Sequence, residues 1–147
     1  MKKKQTKKKK SFLGWALLAV AVVLVIVFLA IPKPSPVDST ASLLPTEVSP
    51  GQVNAAWKEG SFILDVREQD EWNAGHISGA TLIPLGVLTS RLGELPKDKP
   101  IYVVCRSGNR SAAARDALLD AGFASVTSMD GGMNDWVSQG FEIVTGP

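Results

Sequence analysis

A chain of 147 residues with 45% hydrophobic content carries too much apolar sequence for a disordered polymer, and its length accommodates one domain plus a further segment. One cysteine allows no internal disulfide, and one cysteine with one histidine makes a zinc site from this chain alone a poor fit, so neither a metal nor another cofactor is expected. The net charge of +2 hides a split: residues 2–10 hold seven lysines, and without them nine basic residues face fourteen acidic ones, a balance near −5 that disfavours nucleic-acid binding.

The lysines lie in a tail, residues 1–11. Residues 12–31, "FLGWALLAVAVVLVIVFLAI", contain no charge. Twenty residues at about 1.5 Å rise span roughly 30 Å, the thickness of a bilayer core, and the run has no polar face. It is expected to be a transmembrane signal-anchor helix with Trp15 at the interface and the lysines on the cytoplasmic side. The rival is a cleaved signal peptide, whose apolar region is normally shorter, about 7 to 15 residues. Either reading places the rest of the chain outside the cytoplasm, in a single-pass arrangement at the cell membrane. Residues 32–45, rich in proline and serine, form an extended linker. Residues 46–147 form the folded domain.

Within that domain, "TEV" at 46–48 is a short strand. Ser49 is an N-cap, Pro50 opens a helix, Val53, Ala56 and Trp57 give its apolar face, and Gly60 ends it. "FILDV", 62–66, is a strand, and "EQDEWNAG" is a short helix closed by Gly75. "ATLIPL", 80–85, is extended, with Pro84 barring a long helix. "LTSRLGEL", 88–95, reads as a short helical stretch with an internal glycine. "IYVVC", 101–105, is a buried-type strand. The helix over 110–122 stops at Gly122, with Ala114, Leu118 and Ala121 as its buried stripe and Arg115 as surface charge. "ASVTSM" is a further strand and "GGMNDWVSQG" a last helix. Alternating strands and helices over about 100 residues predict an α/β fold with a mainly parallel central sheet and helices on both faces. Ligands in such sheets bind at the carboxyl ends of the strands, where Cys105 lies.

A strand that turns straight into a helix directs several backbone N–H groups into one small space, an anion cradle reinforced by the positive helix end. Gly108 permits the tight turn. A sulfur in that cradle has its thiolate favoured: helix N-termini and neighbouring cations lower a cysteine pKa from about 8.5 by one to several units. The bland alternative makes Cys105 a small buried hydrophobe, which requires no donor-rich loop behind it.

At these residues a resemblance emerges. "CRSGNRS" after an apolar strand resembles the rhodanese homology domain, the sulfurtransferase family. "ILDVREQDEWNAGHISGATLIP", 63–84, resembles the family's "DVRE…GHI.GA..IP" pattern, and "DGGMNDW", 130–136, its closing "GG...W" element. The three blocks cover about residues 46–145. The resemblance implies that Cys105 takes a sulfane sulfur as a persulfide. The loop Arg106, Ser107, Gly108, Asn109 and Arg110 then binds the persulfide or the substrate's anionic oxygens, with the Arg106 and Arg110 side chains as candidates for substrate binding and loop bracing. Asp65, Arg67 and Ser111 support the loop. The implied reaction is ping-pong: thiosulfate or a persulfide donates to Cys105, and a thiol, cyanide or a protein acceptor removes the sulfur.

Two other readings stay open. The domain is a persulfide carrier or sensor serving a partner protein, or, with less support, a phosphatase or arsenate reductase-like enzyme. Against the latter, four residues separate Cys105 from Arg110, whereas the related phosphatases enclose five and cradle a tetrahedral phosphate. His76 in "GHISGA" is expected to be structural rather than a base, and Trp57, Trp72 and Trp136 to be core or lid residues.

Overall fold

The computed structural model describes residues 44–147. The basic tail, the apolar run 12–31 and all but the last two linker residues lie outside the described residues. No helix among the described residues is long and apolar enough to cross a membrane.

Five strands form one sheet: β1 (Glu47–Val48), β2 (Phe62–Asp65), β3 (Thr81–Leu82), β4 (Ile101–Val104) and β5 (Val126–Met129), in the order β1-β5-β4-β2-β3. Every pairing is parallel. The two central strands are matched end to end, Phe62 against Ile101 and Asp65 against Val104. Parallel pairing requires crossovers: α1 (Pro50–Lys58) joins β1 to β2, α2 (Gln69–Ala74) joins β2 to β3, 3₁₀ turns join β3 to β4, α3 (Asn109–Asp120) joins β4 to β5, and α4 (Gly132–Ser138) follows the last strand.

The two-residue period of the strands separates two cores. Ile63 and Val104 pack with Val53, Met133 and Trp136, so α1 and α4 cover one face. Leu64, Ile101 and Val103 pack with Leu88, Ala114 and Leu118, so α3 and the segment after β3 cover the other. Trp136 anchors the first core: it is fully buried, its Nε1 donates to Glu142 O at 3.0 Å, and its ring meets Trp57 edge-on at 6.3 Å. Truncating such a residue to alanine costs about 3–5 kcal/mol. Helix α1 opens as its sequence predicts. Ser49 Oγ accepts from Gln52 N, and the Gln52 side chain returns the bond to Ser49 N, a reciprocal cap that satisfies two free donors.

Three local expectations are corrected. Residues 88–95 do not form one α-helical stretch; two 3₁₀ turns, Leu85–Ser90 and Leu92–Glu94, run there on i→i+3 bonds such as Arg91 N to Leu88 O at 3.0 Å. Gly93 and the tight exit from Pro84 favour short, overwound turns over a continuous helix. The buried stripe of α3 is Ser111, Ala114, Arg115 and Leu118, and Ala121 is exposed because it caps the helix. Arg115 is therefore not surface charge: it is 8% exposed and donates through Nη1 to Thr46 O at 3.0 Å and Ser128 Oγ at 2.9 Å, fixing α3 to β5 and to the chain entering β1.

Candidate active site

β4 ends at Val104, and the chain reaches the first residue of α3 within five positions. That connection is possible because Gly108 adopts φ +100°, which disfavours any side chain. The reversal sends Gly108 N back to within 3.1 Å of Cys105 Sγ. Ser111, one turn into α3, places Oγ 3.5 Å from the sulfur and donates to Gly108 O at 2.7 Å. Its hydroxyl therefore accepts from the thiol and can rotate to donate once the sulfur is ionised.

The sulfur is almost sealed. Cys105 is 1% exposed and belongs to the core cluster beneath α3. Burial alone pushes the thiol up, since low dielectric disfavours charge. The Ser111 hydroxyl and the backbone amides of Ser111, Ser107 and Gly108 act the other way, and together they hold the thiol below its ordinary value. The positive end of the twelve-residue helix α3 lies on the same side. Cys105 is thus packed as a hydrophobe yet solvated by amides as an anion.

The loop is also held from outside. Met133 N donates to Cys105 O at 2.7 Å and Asn134 N to Arg106 O at 3.0 Å, so the first amides of α4 draw those carbonyls outward. With its carbonyls turned away, the loop directs N–H groups inward. Gly132 makes the approach possible: a Cβ there would lie within 2.6 Å of Arg106 C and Ser107 N and closer still to Cys105 O, and its φ is +60°. The sequence displays this only as two adjacent glycines before a short helix; their function is a long-range contact that no local pattern announces.

Asp65 and Arg67 behave differently from expectation. They do not hydrogen-bond the Cys105 loop. Arg67 closes on Asp65 through Nε at 2.9 Å and Nη2 at 2.6 Å, and it also donates to Glu71 O at 3.3 Å and Gly75 O at 2.9 Å. Asp65 Oδ1 accepts from Arg67 N as well. Both residues are buried, so the pair braces α2 rather than the reactive loop. Support reaches that loop one step later. Glu71 on α2 accepts from Arg110 Nη1 and Nη2, each at 2.7 Å, in a bidentate pair. The Arg110 guanidinium is the largest influence on Glu71, outweighing burial, and holds its carboxyl at about 2. Arg110 is accordingly a brace. Glu71 was not singled out in the sequence, because its partner lies 39 positions away.

Arg106, Ser107 and Asn109 are exposed at the loop surface, and the Arg106 side chain has no hydrogen-bond or ion-pair partner among the described residues. His76 is structural: it stacks on Trp72 at 3.6 Å, places Nδ1 3.0 Å from Trp72 O, and bridges Val144 through its backbone. Trp72 and Trp136 are buried, and the half-buried Trp57 packs against the same core as Trp136 and donates through Nε1 to Ser78 O at 2.7 Å.

The family model for the rhodanese-like domain matches residues 49–139. The chain is 37% identical over 91 residues to a thiosulfate sulfurtransferase, GlpE, of Pseudomonas entomophila, covering 62% of this chain and 84% of that protein. It is 42% identical over 81 residues to a putative sulfur carrier protein, YrkF, of Bacillus subtilis, covering 55% of this chain but only 44% of that longer protein. Among solved structures, a rhodanese-related protein from Thermoplasma volcanium superposes with a TM-score of 0.64 at 31% identity, covering 68% of this chain and 98% of that one.

Proposed function

The chain belongs to the rhodanese-like domain family, and from that premise we propose that it is a sulfurtransferase whose Cys105 carries a sulfane sulfur as a persulfide between a donor and a thiophilic acceptor. One observation carries the reading: amides of Ser107, Gly108 and Ser111 converge on a single sulfur and lower its pKa. The thiolate attacks the outer sulfur of thiosulfate, the S–S bond breaks, and its electron pair leaves with sulfite. The same amides then stabilise the persulfide anion. A thiol or cyanide attacks the terminal sulfur and restores the thiolate. No general base is required, which suits a site where the lone histidine is occupied elsewhere.

Ser111 supports the sulfur directly, Arg110 with Glu71 sets the loop's position, and Arg106 is the cation that meets an anionic substrate. The carrier reading is kept beside the enzyme reading on one ground. The chain has no second cysteine to discharge a persulfide, so sulfur must leave to another molecule, and one relative is described as a putative sulfur carrier. We further propose that residues 12–31 anchor the protein by a single span, with residues 1–11 cytoplasmic, residues 32–45 as a tether and residues 46–147 outside the cytoplasm. The uncharged run and the seven preceding lysines support this.

The test uses the full chain in detergent, reduced, then treated separately with thiosulfate and with an organic thiosulfonate. Intact mass should rise by one sulfur atom, and Cys105→Ser should show no rise. Thiocyanate formation with cyanide distinguishes turnover from carriage. No mass gain from either donor overturns the reading. For topology, a tag after Pro147 should be protease-accessible on spheroplasts and a tag before Met1 protected.

A further inference from the structure

Two shallow depressions meet at Arg106. One is walled mainly by Ala74, Met133, Val137 and Ile143. The other lies over Ser107 and Arg110 and is rimmed by Glu68, Asp70 and Glu71. The charges at this mouth are unequal. Arg110 is paired with Glu71 and Arg67 with Asp65, which leaves Arg106 as the one guanidinium there without a partner among the described residues. Glu68 and Asp70 are exposed and have no ion-pair partner among the described residues. On the other side, Val137 is 51% exposed, one turn of α4 beyond Met133, whose own amide holds the reactive loop.

Resting on the sulfur-transfer reading above, we propose that the donor this site selects is an organic sulfane carrier with an apolar body and a single negative charge, rather than the inorganic thiosulfate dianion. Arg106 meets the one charge, the Val137–Ile143 wall takes the carbon body, and Glu68 with Asp70 repel a second charge. For an aryl thiosulfonate the step balances as follows. The Cys105 thiolate attacks the sulfane sulfur, the sulfur–sulfonyl bond breaks, its electron pair leaves with the sulfinate anion, and Cys105 keeps a persulfide anion. No oxidant or reductant enters.

Benzenethiosulfonate and thiosulfate test this, because they share the sulfane chemistry and differ in body and charge. Sulfinate and sulfite differ as leaving groups, so the response of each donor to substitution is the readout. With the full chain in detergent at low salt and cyanide as acceptor, Glu68→Gln with Asp70→Asn should raise kcat/KM for thiosulfate about three- to tenfold and change benzenethiosulfonate by less than about twofold. Val137→Ser should lower kcat/KM for benzenethiosulfonate about threefold and leave thiosulfate unchanged. Added salt should speed the dianion more than the monoanion. Equal responses of both donors, or none, overturn the proposal while the sulfur-transfer reading stands. Failure of both donors to load reduced Cys105 overturns both.

Discussion

β2 and β4 run side by side and in register, with Asp65 opposite Val104, yet their carboxyl ends do opposite things. At the end of β2, charge is closed on itself: Asp65 and Arg67 pair in the interior, and Arg67 also donates through Nη1 to Glu71 O and through Nη2 to Gly75 O. At the end of β4, amides converge on a sulfur that carries no charge until it is ionised. In the first arrangement each charge already has its opposite, and the pair is structural. The second holds donors in waiting for an anion, and it is the position where chemistry belongs. Polar content alone does not separate the two; what separates them is whether the donors already have a full partner.

The largest effect is expected at the closed end of β2. Arg67→Ala leaves the Asp65 carboxylate buried and unpaired, and stability should fall by about 3–5 kcal/mol in urea unfolding. A loss under about 1 kcal/mol would show that the β2 end is not the closed brace described. Next in size, Gly132→Ala places a Cβ against the Cys105 carbonyl and the Arg106–Ser107 peptide at a positive φ. It should cost about 1–3 kcal/mol and slow sulfur loading at Cys105 well beyond what the loss of stability explains, because the loop itself must shift. Unchanged loading by intact mass would detach α4 from the site.

The smallest effect concerns the link between the two strand ends. Glu71 is depressed from 4.5 to about 2, so its contribution to stability is full above about pH 4.5 and is lost as pH falls through about 2. The pair is partly exposed, at 31% and 24%, so the contribution is only about 1 kcal/mol. Glu71→Gln should flatten the acid limb of the stability curve between those pH values and leave the neutral plateau lower by about that amount. An unaltered acid limb would mean that the Arg110 contact does not persist in solution.

Much of this was legible in the sequence, and the misses at the site share a cause. The strands, the capped α1 and the glycine-limited α3 follow from periodicity and local turn chemistry, which act over a few residues. Cys105 at a strand end before Gly108 was legible because an anion cradle is a local device. Glu71 and the loop-facing role of Gly132 were not, because each is defined by a contact with a segment distant along the chain. Arg115 is the instructive intermediate case. It lies on the same helical stripe as Ser111, Ala114 and Leu118, so the spacing pointed inward, but its charge suggested water. The carbonyl of Thr46 and the hydroxyl of Ser128 make the inward position tolerable, and neither is visible from the helix alone.

Main-chain amides and one hydroxyl make a nearly sealed sulfur ionise more easily than burial alone would allow. The pH dependence of Cys105 alkylation by iodoacetamide in the folded chain, beside Ser111→Ala, reads this out. The expected midpoint lies below the free-cysteine value of about 8.5 and shifts upward in Ser111→Ala, with the rate levelling once the thiolate is fully formed. A midpoint at or above that value, indifferent to Ser111, would contradict it and leave Cys105 as a packed hydrophobe.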